Sequence, residues 1–196
     1  MSDVLFGIDP GFQNLGWCRV TLTPADPWNV LKGRVDGIGV VRTEKSNAKR
    51  CVMAADDNVR RAREIYTELK KALTEPSRVR VICAESMSFP RNAGAAAKVA
   101  MTWGVLTALS QEFSLPIVQV SPQEVRRSLF GFSKSKGVSK KEVEENVLTR
   151  FPDVPARLAD LGIACGLHEH VYDSLAAVIA CSQSEVVRAI RSGSSC

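Results

Sequence analysis

The sequence predicts an α/β fold: a mixed five-stranded sheet, three strands antiparallel and two parallel, with helices on both faces. Three observations carry this. The first 41 residues hold three strand-like runs joined by a Pro-Gly turn and a loop bearing Pro24 and Pro27, the pattern of a meander. Residues 52–73 then place Val59, Ala62, Ile65, Tyr66, Leu69 and Leu73 at the three-and-four spacing of an amphipathic helix. A helix of that length ahead of the apolar run at 79–84 is a crossover, so the strand it leads to lies parallel in the sheet. A small-residue helix and one more short strand complete a βββαβαβα order, which requires a mixed sheet covered on two sides.

Each element has its own warrant. Residues 4–9 alternate around buried Val4, Phe6 and Ile8, and Pro10-Gly11 ends the run; 15–22 and 34–41 are the next two strands. The helix at 52–73 puts Arg60, Arg61, Arg63, Lys70 and Lys71 among its polar positions. After the fourth strand a loop over 86–92 precedes a helix at 93–113, and 116–120 is the fifth strand. Ser121-Pro122 opens a short helix through Ser128, with Ser as N-cap and Pro at the first helical position. Ser139 caps another helix through Phe151, with Glu142 completing a capping box. A Pro- and Gly-punctuated stretch over 152–166 leads to a last helix from about His168, and 192–196 is expected to be a disordered tail after a single domain of residues 1–191.

Two of these strands end in a carboxylate. A strand that buries Val4, Phe6 and Ile8 cannot hold a charge in its middle, but at its end Asp9 can face a cleft or a metal. The alternative is a plain Asp-Pro-Gly turn. Glu85 ends the Val-Arg-Val-Ile-Cys-Ala run in the same way. If the two strands are parallel neighbours, Asp9 and Glu85 converge at the carboxyl edge where open α/β sheets place ligands. Such a pair repels itself unless a cation or a shared proton lies between.

Composition narrows the classes. With 196 residues and 45% hydrophobic content, one compact domain is expected. No apolar stretch approaches the ~20 residues of a membrane span and Met1-Ser2-Asp3 lacks a basic leader, so a cytoplasmic protein is expected. Six scattered cysteines without a Cys-x-x-Cys pair point to neither a zinc ribbon nor a disulfide scaffold. The 26 Lys and Arg against 21 Asp and Glu leave +5, and the excess is local. Residues 126–141 carry Arg126, Arg127, Lys134, Lys136, Lys140 and Lys141 with no acid, interleaved with Phe130, Gly131, Phe132 and Gly137. A basic, aromatic, glycine-bearing loop can follow a phosphate backbone and stack on bases, although solvated charged loops are also common.

The segment His168-Glu169-His170-Val171-Tyr172-Asp173 starts the last helix polar and then turns apolar. His170 and Asp173 are three apart, so they project from one helical face and can share one ion. Ala176, Ala177 and Ala180 continue that face and permit close approach to the sheet. The competing account is a solvated first turn.

Four motifs together resemble the RuvC family of Holliday junction resolvases in the RNase H-like nuclease superfamily. They are Gly7-Ile8-Asp9-Pro10-Gly11 with Leu15-Gly16-Trp17; Cys83-Ala84-Glu85-Ser86 with Asn92 and Gly104; Pro122-Gln123-Glu124-Val125-Arg126 through Gly131 to Lys140-Lys141-Glu142-Val143; and His170-Val171-Tyr172-Asp173-Ser174-Leu175-Ala176. The resemblance implies an RNase H-like fold with Asp9, Glu85, His170 and Asp173 as catalytic metal ligands. It also implies that Arg126 and Lys140 hold DNA; Phe89, Arg91, Arg127, Lys134, Lys136 and Lys141 are further DNA-binding candidates. The helix at 93–113 resembles the one that pairs across a homodimer, which nominates Ala96, Ala100, Met101, Trp103 and Gly104 for the interface, with burial of Trp103 in the monomer's own core as the competing account. His170 stands where many members carry Asp, so the preference between Mg²⁺ and Mn²⁺ is open. The family's junction-wedging aromatic falls at Ser88, with Phe89 one place later, and 23–50 looks longer than usual.

The implied activity is metal-dependent resolution of four-way DNA junctions. Two Mg²⁺ or Mn²⁺ ions per site would support paired symmetrical nicks that leave 5′-phosphate and 3′-hydroxyl ends. Alternatives are a less selective nuclease acting on flaps, branched DNA or RNA:DNA hybrids, and a non-cutting structural DNA-binding protein. Neither motor partners nor cleavage-site preference is legible.

Overall fold

The computed structural model describes residues 3–22, 33–46, 53–74, 79–86, 92–132 and 137–192. Strands β1 (Val4–Asp9), β2 (Asn14–Thr21) and β3 (Arg34–Arg42) form the antiparallel meander. Helix α1 (Ala54–Thr74) crosses to β4 (Val79–Glu85), and α2 (Ala93–Phe113) crosses to β5 (Ile117–Val120). The sheet order is β3-β2-β1-β4-β5, with β4 parallel to both β1 and β5. Helices α3 (Pro122–Phe130), α4 (Lys140–Arg150), α5 (Val154–Asp160), α6 (His168–Ser182) and α7 (Glu185–Ser192) follow.

Period-two alternation divides the core. Val4, Phe6 and Ile8 of β1 pack with Ile65 and Leu69 of α1 and with Leu106 and Leu109 of α2. Leu5 and the β4 residues Val81 and Cys83 pack on the other face against Val125 of α3, Val147 of α4, Leu158 of α5 and the apolar length of α6. The sheet is therefore a wall between two apolar layers, and Asp9 and Glu85 fall on the α6 side. No helix among the described residues is long and apolar enough to cross a membrane.

Several expectations need correction. The stretch at 152–166 contains α5 and leads into a 3₁₀ turn at Cys165–Leu167, because Val154 and Leu158 bury one face of a turn that Pro152 introduces. The final helix is two helices, broken at Gln183 and Ser184, and Ser192 closes α7 instead of opening a tail; 193–196 lie outside the described residues. Arg61 is not a solvated position of α1 but is 2% exposed. Both capping boxes form, at Ser139 with Glu142 and also at Ser121 with Glu124. Cys18, Cys83 and Cys181 are free and buried, and burial pushes the Cys18 thiol up to about 12, which keeps it protonated.

Candidate active site

The parallel register of β1 and β4 pairs Ile8 with Ala84, so Asp9 and Glu85 leave adjacent strand ends on the same face. Across them lies the first turn of α6. Its approach depends on glycines in the sheet: a β-carbon on Gly7 would overlap the Ser174 carbonyl, and one on Gly16 would overlap the His170 carbonyl. Gly16 is the register partner of Asp9. The helix backbone therefore rests on β1 and β2 at the point where Asp9 emerges. Ala176 and Ala177 are buried on the inner side, as their size requires.

The turn after Asp9 is pinned from behind. Gly11 N–H donates to the Asp9 carbonyl at 2.8 Å, and Thr43 Oγ1 donates to the Phe12 carbonyl at 2.7 Å. Arg61 donates from Nε to Thr43 Oγ1 at 3.0 Å and lays its guanidinium over the Phe12 ring, 4.5 Å from the centroid. The sequence places this arginine among the polar positions of its helix, and nothing in a one-dimensional pattern shows that Thr43 and Phe12 come to meet it.

Within the site, His170 Nδ1 and Asp9 Oδ2 are 2.7 Å apart, with side chains 20% and 25% exposed. This contact raises the His170 pKa from its ordinary value more than burial lowers it. Glu85 is pushed up to about 7, first by burial and then by the charges of Asp173 and Asp9, against the pull of Arg126 and Lys140. Asp173 is pushed up to about 6 by burial and by Asp9. Lys140 Nζ lies 3.5 Å from Asp173 Oδ2 and 2.6 Å from Glu169 Oε2. Glu85, Arg126, Lys140, Asp173 and Ala176 line one cleft of about 260 Å³ with Val125 and Val143. A larger hollow of about 1040 Å³ between β3 and α1 holds none of these groups, and two of its three acids, Glu64 and Glu68, are paired with Arg60 and Lys71.

The donor set of Asp9, Glu85, His170 and Asp173 fits a divalent cation in type and in charge: the charges of Asp173 and Asp9 raise the Glu85 pKa and that of Asp9 raises the Asp173 pKa, and a cation between them removes that repulsion. Among the described residues no three His, Cys, Asp or Glu side chains converge as ready ligands. His170 and Asp9 are bonded to each other and Lys140 stands at Asp173, so an ion must displace these contacts.

The basic candidates divide. Arg126 and Lys140 face the acids in the cleft, Lys141 turns outward toward Glu145, and Arg127 packs on Phe132. Phe89, Arg91, Lys134 and Lys136 lie outside the described residues. On α2, Ala100 and Gly104 are exposed and Ala96 and Met101 partly so. Of the two accounts for Trp103 the core one holds: at 9% exposure it packs against α1 and β1, because its helical face points at the sheet and not outward.

No family model matches the chain. A curated protein of Pseudothermotoga lettingae named crossover junction endodeoxyribonuclease RuvC is 24% identical over 156 residues, 78% of this chain and 83% of that one. The solved structure of T. thermophilus RuvC in complex with Holliday junction substrate superposes with a TM-score of 0.64 at 22% identity, covering 97% of this chain and 96% of the other. The chain is thus similar in sequence and in fold to proteins named RuvC. The yeast mitochondrial Holliday junction resolvase Ydc2 shares the fold at a TM-score of 0.60 and 13% identity, over 91% of this chain and 77% of its own. The fold of these neighbours agrees with the mixed sheet of order β3-β2-β1-β4-β5.

Proposed function

We propose that this chain is a metal-dependent endonuclease that resolves four-way DNA junctions by paired nicks, as a homodimer. One observation carries the reading: Asp9 and Glu85 leave neighbouring parallel strands, and α6 sets His170 and Asp173 over them through the glycine contacts. Asp9, Glu85, His170 and Asp173 would hold two divalent ions, which would supply water activation and charge neutralisation at the leaving oxygen. Arg126 and Lys140, at the rim of the same cleft, hold the phosphate there. The products on this reading are 5′-phosphate and 3′-hydroxyl ends.

Opposed cuts need two sites, and a two-fold dimer supplies them. The α2 surface supports that assembly. Met101, Gly104, Val105 and Ala108 line an apolar groove of about 340 Å³ with Val59, Ala62 and Tyr66 of α1.

The test is a panel of labelled junction, duplex, flap and RNA:DNA hybrid with Mg²⁺ or Mn²⁺. Junction cutting is expected to exceed the others, and Asp9→Asn and Asp173→Asn are expected to bind junction without cutting it. Equal cutting of every substrate refutes junction selectivity, and binding without cutting by the parent protein refutes the enzymatic reading. Light scattering at tens of micromolar that finds only monomer, with and without junction, refutes the paired-cut assembly.

A further inference from the structure

The loop after α3 separates two aromatics that adjoin in the sequence. Phe130 packs against the core, whereas Phe132 is 80% exposed. Among the described residues it is the most exposed large hydrophobic side chain, and Met53, Val59, Leu161 and Val186, the others, are not aromatic. Its position is built by the chain. Gly131 closes α3 with φ +77°, a conformation that favours glycine, while its N–H donates to the Arg127 carbonyl at 2.8 Å. The turn carries the Phe132 ring over the Arg127 guanidinium, 4.8 Å from carbon to centroid. Arg127 Nε is buried with no hydrogen-bond partner among the described residues. The adjacent Arg126 lines the cleft with Glu85, Lys140 and Asp173.

We infer that Phe132, braced by Arg127, is a stacking platform for an unpaired or unstacked DNA base beside the scissile phosphate. The inference rests on the junction-cutting reading above and deepens it. An exposed ring is hydrated at a cost that a partner's flat apolar face removes, and a base supplies such a face irrespective of its identity. The surroundings select the partner's class. Arg127 stands under the ring and its neighbour Arg126 shares the cleft with Lys140, and such basic groups recruit a polyanion ahead of an apolar protein surface. Within uniform duplex both faces of every base are already stacked, so the ring finds no partner there. At a branch point the strands exchange and base faces become available. The platform thus favours branched over linear DNA without reading sequence.

Because Phe132 is exposed, its replacement leaves the core intact and Phe132→Ala is expected to unfold at the parent's temperature. Junction affinity is expected to fall roughly 5- to 100-fold in Phe132→Ala, with Phe132→Trp restoring it and duplex affinity unchanged. The salt slope of junction binding is expected to stay as in the parent, since a stacked ring releases no counterions. A 2-aminopurine placed in turn at each nucleotide flanking the exchange point is expected to be quenched at one position by the parent and not by Phe132→Ala. Equal junction affinity in parent and Phe132→Ala, an equal loss on linear duplex, or a slope changed by about one overturns the inference. A parent protein that binds no junction overturns the functional reading and this inference together, whereas a junction-binding parent matched by Phe132→Ala overturns the inference alone.

Discussion

Glu85→Gln is expected to stabilise the metal-free protein while removing its nuclease activity. The perturbation replaces a half-buried carboxyl, whose pKa burial and the neighbouring Asp173 and Asp9 push up to about 7, by a neutral isostere. The sign follows from proton counting. Between an ordinary 4.5 and about 7 the folded protein holds a proton that the unfolded chain has released, so stability falls as pH rises through that window and is constant above it. Each pH unit contributes at most about 1.4 kcal/mol, or roughly 3 kcal/mol across the window. Glu85 faces an open cleft, so solvent screening reduces this to about 1–2 kcal/mol. For a domain of this size that is a rise of roughly 3–6 °C in Tm for Glu85→Gln at pH 8 and almost none at pH 4.5. The assay is thermal and urea unfolding of both proteins at the two pH values, with chelator and then with Mn²⁺. Added metal is expected to reverse the order, because an ion at about 100 times its Kd stabilises the parent by roughly 2.7 kcal/mol and the variant by less. A Tm difference that is the same at both pH values, or is unaffected by metal, refutes the repelling-carboxylate account of this site.

Other outcomes follow from the same geometry. Arg126→Ala is expected to weaken junction binding and lower the salt slope by about one, read from affinities at several salt concentrations; an unchanged slope moves the phosphate contact elsewhere. His170→Ala is expected to lose most cutting, and His170→Asp to keep Mg²⁺-supported cutting with preference shifted away from Mn²⁺. Because the Asp9 contact raises the His170 pKa, Mn²⁺ affinity in calorimetry is expected to climb with pH through a midpoint above the ordinary imidazole value, with proton release; pH-independent binding excludes His170 as a ligand. Gly16→Ala is expected to lower stability by roughly 1–3 kcal/mol or to lift α6 and abolish cutting, since its β-carbon overlaps the His170 carbonyl; a variant with parent Tm and parent activity refutes the close-contact account.

The sequence by itself determined the five strands, the two crossovers and the carboxyl ends of β1 and β4, because alternation and helical spacing are local signals that the backbone must obey. It also determined the chemistry available, since Asp9, Glu85, His170 and Asp173 stand at strand ends and in one helical turn. Only the tertiary structure decided how these groups meet. Gly7 and Gly16 read as ordinary strand glycines until α6 lies on them, and their role depends on a helix more than 150 residues further along the chain. The burial of Arg61, a polar position of its helix, and of Trp103, which the sequence leaves between interface and core, has the same reason: which helical face meets the sheet depends on packing partners remote in sequence. Phe130 and Phe132 are two residues apart and share a composition signal, but with Gly131 at positive φ between them one packs against the core and the other is exposed. The α5 turn within 152–166 was hidden because its Pro and Gly residues signal a loop locally, while the burial of Val154 and Leu158 against the α6 layer stabilises a helix there.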